Sequence, residues 1–338
     1  MTHLTAFDEH LVHQLPEPLS VVAAEHQHWR ESYFFVTHAP AAAPDAADAD
    51  VLVVAMATYP GRHILDALVL GRVDGEPLFA YHQRPAGGDP HTATVGPVSV
   101  VVEEPFRRLR VVADDPAATS LDLTFEARGA HYGLRRGRML DDEGAVVWDQ
   151  SHMIQSGTFH GTYRRNGSTR TVEGWLGQRD HSWGIRDHGR VPFWTWLAIQ
   201  LPDGMLGVWH WELANGARIF TDGCWAPAGR GTPVPVVDFH HDLHWTDAAG
   251  DPVDYGADGA TVEGLAGTVR FRLEGGREVT LRGAGRWCAP YRPFYGGGQH
   301  LMAVETDDGR RGTAVYEVTG RHHHRFFPTP LPVPEAHG

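Results

Sequence analysis

The chain has 338 residues with 42 acidic and 29 basic side chains, which gives a formal net charge of -13 at pH 7. This length exceeds what one hydrophobic core usually serves and predicts two domains. The negative charge repels phosphate backbones and anionic lipid surfaces, so we expect no nucleic-acid partner and no docking on membranes.

The start of the chain, MTHLTAFDEHLVHQL, has neither a cationic beginning nor an apolar core and therefore lacks the pattern of a secretory signal peptide. No apolar run approaches the roughly 20 residues that a transmembrane helix needs. Cys224 and Cys288 lack metal-ligand spacing; two reduced thiols are the simpler interpretation, and one disulfide is the alternative. We therefore predict a cytoplasmic protein without a transmembrane segment and leave its oligomeric state open.

Strand-like runs fill the chain. The first covers His28 to Val36, and two strongly apolar runs follow at Val51 to Tyr59 and Ile64 to Val73, separated by Pro60-Gly61. Similar runs recur about every 8–15 residues up to Val318, a spacing typical of sandwiches and barrels. The pattern predicts an all-β chain of two tandem β-barrels or sandwiches, with domains at residues 1–188 and 189–338.

The densest group of reactive side chains is the stretch Gly174 to Asp187, GWLGQRDHSWGIRD. In a strand, side chains alternate between two faces. We therefore expect Arg179, His181 and Trp183 on one face and Gln178, Asp180 and Ser182 on the other. Glycines at positions 177 and 184 predict a bend or the close approach of another backbone.

Two interpretations of this stretch remain open on chemical grounds. An aspartate in an aromatic pocket has its pKa raised by desolvation and can act as an acid, whereas a neighbouring arginine keeps it ionised. Arg179 and Arg186 are both candidates for that neighbour. Alternatively, Asp180 belongs to a structural ion pair at a domain junction, as we expect for Arg186 with Asp187.

The run Gly-x-x-Gly-x-Arg-Asp-His-Ser-Trp-Gly-x-Arg-Asp resembles the central signature of the AttH/CrtC-like superfamily, which includes carotenoid 1,2-hydratase (hydroxyneurosporene synthase). Trp29 to Phe34 and Phe193 to Trp196 also fit this family. The resemblance implies two lipocalin-like β-barrel domains and no organic cofactor. Characterised relatives hydrate isoprenoid double bonds, cyclise terpenoids or close polyenes by Diels–Alder chemistry, so fold and pocket transfer better than any one reaction.

Carried onto this chain, the resemblance makes Asp180 the candidate proton donor and His181 a residue that relays its proton or orients it. Trp183 is expected to face a cationic intermediate, because an aromatic face stabilises cations. Arg179, Arg186 and Asp187 are assigned structural or orienting roles. Further aromatic residues are expected to bind substrate, with core packing as the alternative: Trp194, Trp196, Trp209, Trp211 and Tyr295.

The leading hypothesis is a cofactor-independent lyase or isomerase of hydratase, dehydratase or cyclase type, acting on an apolar isoprenoid-, steroid- or polyketide-like substrate. A non-catalytic carrier of a hydrophobic small molecule is the first alternative. The second is a Diels–Alderase-type pericyclase, which depends on cavity shape more than on an acid.

The chain has 23 histidines, which are common metal ligands. His240, Asp242 and His244 would share one face of a strand and form a possible ligand set. Exposed histidines are the alternative, and the run His322 to His324 is expected to be solvated. The sequence hypothesis therefore includes no metal site.

Overall fold

In the computed structural model of this protein, the described residues are 4, 6–11, 13, 16, 26–40, 49–85, 93–115, 119–190, 193–255, 262–290, 296–320, 324 and 326. Within them nearly all regular structure is β-strand, apart from two 3-10 turns at Ala6–Glu9 and Pro60–Arg62. The all-β prediction is confirmed.

The chain divides into two compact units. The N-terminal unit comprises the described residues up to Pro40, Asp50–Asp187 and Ala226–Thr232, and the C-terminal unit comprises mainly His188–Trp225 and Pro233–Gly338. The boundary that the sequence suggested, between residues 188 and 189, is close to this division. The return of Ala226–Thr232 to the N-terminal unit was not foreseen.

The N-terminal unit is built on one sheet with the order β4-β3-β2-β1-β12-β11-β8-β7-β6-β5, and β9 and β10 pair with β11. A hydrogen bond of 2.7 Å from Arg84 Nε on β4 to the carbonyl oxygen of Thr94 on β5 links the two ends of this order. The sheet therefore curls around its core. Its strands are β1 (Trp29–His38), β2 (Val51–Tyr59), β3 (Ile64–Val73), β4 (Glu76–Pro85), β5 (Thr94–Val95), β6 (Val98–Glu104), β7 (Arg108–Asp115), β8 (Thr119–Ala127), β9 (Tyr132–Gly133), β10 (Gly137–Leu140), β11 (Val146–Arg165) and β12 (Ser168–Arg186).

The C-terminal unit is a second antiparallel sheet with the order β16-β15-β14-β13-β22-β21-β20-β19-β17-β18. Pairing of β16 with β19 closes the first eight of these strands into a barrel. A tight hairpin joins β13 to β14, where Leu201 pairs with Gly204. The strands are β13 (Phe193–Leu201), β14 (Gly204–Glu212), β15 (Arg218–Pro227), β16 (Val234–His241), β17 (His244–Thr246), β18 (Pro252–Val253), β19 (Gly264–Leu273), β20 (Glu278–Pro290), β21 (Gly296–Thr306) and β22 (Arg311–Gly320).

The central stretch of the sequence forms the second half of a long hairpin, β11–β12. Its turn is Asn166-Gly167, where both residues have positive φ, the combination that type I′ hairpin turns require. Gly177 sits where a β-carbon would collide with the carbonyl oxygen of Val36 and the ring of Phe159. The close backbone approach expected from the glycines of this stretch is thereby confirmed.

Each unit has its own hydrophobic core, and these cores define the inner face of each sheet. Tyr33 and Phe35 of β1 belong to the core of the N-terminal unit, and Leu197 and Val208 belong to that of the C-terminal unit. Cys224 and Cys288 are both buried, and they are not joined by a disulfide. None of the helical segments in the described part of the chain has the length and hydrophobicity to cross a membrane.

Candidate functional site

The central motif presents different chemistry on its two faces. In the antiparallel pairing of β1 with β12, Tyr33 lies opposite His181 and Phe35 lies opposite Arg179. Directly opposite residues share a face, and Tyr33 and Phe35 are core residues. Arg179, His181 and Trp183 therefore point inward, and Asp180 points outward, as the alternation predicted.

A buried ion pair anchors the inward face. The guanidinium of Arg179 donates from both terminal nitrogens to the carboxylate of Glu9, with Nη2 2.6 Å from Oε2. Gln155 accepts from the same guanidinium at 2.7 and 3.0 Å and donates to the carbonyl oxygens of Phe106 and Gly129. Arg179 is fully buried, so this network holds the N-terminal turn against the hairpin.

His13 bridges two carboxylates in the same network. Its Nδ1 lies 2.7 Å from Glu31 Oε1 and its Nε2 lies 2.8 Å from Asp8 Oδ1. Burial alone lowers the pKa of His13, but hydrogen bonds to Asp8 and Glu31 outweigh it and raise the pKa to about 8. Both ring nitrogens donate, so His13 is an imidazolium held between carboxylates.

His181 completes the inward network. Its Nε2 lies 2.9 Å from Glu31 Oε1, and its side chain is fully buried. Burial, followed by the charges of His13 and Arg179, lowers the pKa of His181 well below its ordinary value. His181 and Asp180 project from opposite faces of β12, so the direct relay that the sequence suggested between them does not fit this geometry.

Trp183 also lies in the buried network. Its ring stacks on His13 with a centroid separation of 3.7 Å, and its side chain is fully buried. It is on the face opposite to Asp180. The expected position of Trp183 beside a cation generated by Asp180 therefore does not fit, because the sheet itself separates the two side chains.

The outward face of β11–β12 carries a different acid and histidine. Asp180 Oδ2 lies 3.3 Å from His152 Nε2, and both side chains are buried. His152 lies on β11, two residues before Ile154. Ile154 pairs directly with Asp180 in the β11–β12 hairpin, so His152 is the diagonal neighbour of Asp180. The histidine next to Asp180 is thus one that the sequence motif does not contain.

Other polar side chains surround this pair on the outward face. The carboxamides of Gln150 and Gln178 are buried without a hydrogen-bond partner among the described residues. Arg186 Nη2 donates to Ser32 Oγ at 3.0 Å. Asp187 Oδ2 lies 3.6 Å from His28 Nε2. The outward face of the hairpin is therefore polar, buried and incompletely hydrogen-bonded, a combination typical of functional sites.

Four of the predicted substrate-binding tryptophans share one face of the C-terminal barrel. Trp194 and Trp196 of β13 lie directly opposite Trp211 and Trp209 of β14. Their strand neighbours point into the barrel core, which places all four on its outer face. Trp194 Nε1 donates to Glu317 Oε1 at 2.5 Å. Tyr295, the fifth aromatic residue of that prediction, lies outside the described residues.

An open groove of about 800 Å³ lies at the edge of the N-terminal unit. Its lining is largely polar and charged and includes Gln155, so it reaches the Glu9–Arg179 network. The residues that line it are Glu104, Phe106–Arg108, Glu126–His131, Gln155 and Gly229–Thr232. None of the side chains that the sequence assigned to the site is in this set, and the aromatic side chains of the groove are Phe106 and His131.

A second cluster of histidines surrounds Glu212 in the C-terminal unit. Burial alone raises the pKa of Glu212, but hydrogen bonds from His210, His241 and His324 lower it well below the ordinary value. The pKa of His210 is also lowered, and burial is the largest of its causes. His324 is fully buried, so the expectation that the run His322 to His324 is solvated is wrong for this residue.

The ligand set suggested by the sequence lies next to that cluster but outside it. His240 is exposed and pairs with Asp238 at 3.2 Å, and His244 is exposed with Nδ1 3.3 Å from the carbonyl oxygen of Asp242. The neighbouring His241 points inward instead. Side chains alternate along β16, so His241 points inward whereas the adjacent His240 points outward.

Comparison with known proteins places the chain in a family. The model of DUF8625, a family of unknown function, matches residues 4–281. This chain is a DUF8625 protein. A search of the curated proteins found no match to it.

Solved structures resemble this DUF8625 protein over most of their length. An AttH candidate from Nitrosomonas europaea has a TM-score of 0.57 at 15% identity and covers 87% of this chain and 94% of its own. Kievitone hydratase from Nectria haematococca has a TM-score of 0.51 at 12% identity, with 86% and 88% covered. The structure of CghA with Sch210972 has a TM-score of 0.56 at 12% identity, with 92% and 97% covered.

These matches confirm the AttH-like fold that the central motif indicated. At 12–15% identity they establish the architecture and carry no residue role. The strands that contain Asp180 and His152 therefore belong to a fold shared with a hydratase. The chemistry of this chain depends on its own side chains.

Proposed function

We propose that this DUF8625 protein is a cofactor-independent lyase or isomerase of hydratase, dehydratase or cyclase type. Its substrate would be an apolar isoprenoid-, steroid- or polyketide-like molecule. The observation that carries the proposal is the buried pair of Asp180 and His152, 3.3 Å apart on the outward face of β11–β12. The fold shared with kievitone hydratase, a hydratase by name, supports the same reaction class.

In the proposed reaction, the protonated carboxyl group of Asp180 donates its proton to one carbon of a substrate double bond. The resulting carbocation adds water in a hydration, or a second double bond of the substrate in a cyclisation. The proton released at the end returns to the Asp180 carboxylate through His152. A proton donor of this kind typically contributes about 10²–10⁴-fold to the rate.

The partly satisfied polar groups around the pair support a ligand at this face. Buried carboxamides without partners cost free energy, and a bound substrate oxygen or water would satisfy them. Gln150 and Gln178 have such carboxamides on the same face as Asp180. They are proposed to bind the polar end of the substrate or the water that adds to it.

Deuterium incorporation tests the proposal directly. Candidate polyenes and polyketides are incubated with the protein in D₂O, and products are analysed by mass spectrometry. We expect a carbon-bound deuterium in the product of the parent chain, and a loss of about 10²-fold or more in rate for Asp180→Asn. The matched control is Asp122→Asn, at an exposed carboxylate paired with Arg110.

Full turnover by a folded Asp180→Asn protein would refute the acid mechanism. A product that forms without deuterium incorporation would instead identify the pericyclase alternative. The cytoplasmic location suggested by the sequence remains a prediction that fractionation of the native host would check.

The carrier alternative has an observation of its own in the C-terminal unit. Trp194, Trp196, Trp209 and Trp211 form an aromatic layer in which all four side chains are buried, so an apolar molecule held without chemistry would have to enter a covered layer. The barrel interior, where lipocalin-like carriers hold ligands, is occupied here by hydrophobic core side chains. A carrier function would therefore use the outer aromatic face. Recovery of an unchanged ligand after long incubation supports it.

A further inference from the structure

Inside the C-terminal barrel, one carboxylate is surrounded by histidine nitrogens. Glu212 Oε1 lies 3.0 Å from His210 Nε2 and 3.2 Å from His241 Nε2. His210 and Glu212 are two residues apart on β14 and share its inner face, and His241 comes from the end of β16. The three ligand atoms lie within 4.8 Å of one another.

The spacing of these atoms matches the shell of a small metal ion. Zinc binds histidine nitrogen and carboxylate oxygen at about 2.0–2.1 Å, so two ligands of a tetrahedral ion are about 3.3 Å apart. The distances from Glu212 Oε1 to the two imidazole nitrogens are close to that value. Imidazole ligands favour zinc and related transition metals over magnesium or calcium.

Neighbouring side chains orient the three groups as outer partners orient metal ligands. His210 Nδ1 lies 2.6 Å from Thr221 Oγ1, which leaves Nε2 directed at Glu212. His324 Nδ1 accepts from the backbone N–H of Phe326, so its Nε2 carries the ring proton, and this nitrogen lies 3.2 Å from Glu212 Oε2. One carboxylate oxygen is thereby held in place, while the other faces His210 and His241. Such partners are a usual part of metal sites.

A further buried polar atom lies beside the cluster. Thr195 is directly opposite His210 in the pairing of β13 with β14, and so shares its face. Its side chain is fully buried, and its hydroxyl has no hydrogen-bond partner among the described residues. A water molecule bound to the ion in a fourth position would provide that partner.

The comparable cluster in the N-terminal unit is not arranged to bind a metal ion. His13, Glu31 and His181 also lie close together. However, both ring nitrogens of His13 are already bonded to carboxylates, at 2.7 and 2.8 Å. His13 therefore has no lone pair left for a metal, whereas His210 has one hydroxyl partner and one nitrogen directed into its cluster.

We propose that His210 Nε2, His241 Nε2 and Glu212 Oε1 bind a divalent transition-metal ion of the zinc class. The ion ties β14 to β16 at the end of the barrel, and through Glu212 Oε2 it also holds the C-terminal residue His324. This site lies in the unit that does not contain Asp180, and it departs from the sequence expectation of no metal.

Metal content and metal binding test the site. A chain without an affinity tag is stripped with EDTA and titrated with Zn²⁺, followed by metal analysis and thermal unfolding. We expect one equivalent of Zn²⁺ and a rise in the unfolding midpoint. Co²⁺ in place of Zn²⁺ should give the visible absorption of a four-coordinate site. Replacement of His322 and His323 by alanine should leave both results unchanged.

Matched variants assign the binding to these residues. His241→Ala and the volume-conserving Glu212→Gln should abolish the midpoint shift, whereas His240→Ala, at the exposed neighbouring position, should retain it. Thr221→Val should weaken Zn²⁺ by about 10–100-fold, the usual cost of losing an outer partner. Circular dichroism of the metal-free proteins checks that each variant folds.

Two results would overturn the proposal. The first is a tag-free parent chain that neither contains nor binds Zn²⁺ or Co²⁺. The second is a folded Glu212→Gln or His241→Ala variant that binds Zn²⁺ as tightly as the parent.

Discussion

His152 Nε2 lies 3.3 Å from Asp180 Oδ2 on the outward face of the long hairpin. The two residues come from neighbouring strands whose pairing runs from Trp148 to Arg165, so their relative position is set by an extended ladder. Side chains on one face of paired strands are direct neighbours. His152 is therefore close enough to exchange a proton with Asp180 in the proposed reaction.

The first prediction concerns His152. His152→Gln removes the imidazole proposed to return the proton to Asp180, so we expect turnover to fall by about 10²-fold. His160→Gln, on the same strand but about one-third exposed at its side chain, serves as the control and should keep the parent rate. Unchanged turnover by His152→Gln would limit His152 to packing.

The second prediction concerns the buried ion pair of Arg179 with Glu9. Arg179→Met leaves the Glu9 carboxylate buried without its partner, which should cost about 3–5 kcal/mol of unfolding free energy. Chemical denaturation measures this loss. The same change at Arg108, in an exposed pair with Glu103, should cost less than about 1 kcal/mol.

A double variant completes that test. Arg179→Met with Glu9→Met removes both charges, so its destabilisation should be smaller than the sum of the two single changes. Strict additivity would contradict the direct pairing.

The third prediction follows from the raised pKa of His13, about 8 against an ordinary value of 6.5. The charged and titratable groups in contact with it are Asp8, Glu31 and His181. Because the folded state holds the proton more tightly, the stabilisation is complete below about pH 6.5 and is lost as pH rises through about 8. Its size is about 2 kcal/mol.

Comparison of the parent with His13→Gln isolates this contribution. The difference in unfolding free energy between the two proteins should decrease from pH 6 to pH 9 when measured by urea denaturation. The lowered pKa of His181 acts in the opposite direction and on the acid side, and because the charge of His13 is one of its causes, His13→Gln also reduces this shift. A pH-independent difference would exclude a protonated His13.

The fourth prediction concerns the tryptophan face of the C-terminal barrel. Trp209→Leu removes one member of the face and its edge contact with Trp211, whose ring centroid is 5.0 Å away. Binding of a fluorescent polyene should weaken about tenfold in titrations. Phe79→Leu, at an aromatic residue that is 46% exposed in the other unit, should bind as the parent does.

Much of the fold could be read from local patterns. β2 and β3 begin and end at the predicted residues, and the alternation along β12 separated Asp180 from His181 correctly. That same alternation already argued against a relay between these two adjacent residues.

The partners of the motif could not be predicted in this way. Glu9 and Arg179 are separated by 170 positions, and Glu31 and His181 by 150. No local period connects residues so far apart, and pairing partners depend on the order of strands in the sheet. The motif therefore marked the family fold, whereas His13, Glu31 and His152 were found only in the folded chain.

The sequence by itself determined the strands, the tight turn at Asn166-Gly167 and the two faces of the central motif, because these depend on side-chain alternation and backbone preferences within a few residues. Only the tertiary structure decided that Asp180 lies beside His152 and that Glu212 is surrounded by histidines from β14, β16 and the C-terminal end. The physical reason is that strand register and the path of the terminal segments bring distant side chains together, and neither is encoded in any short stretch of residues.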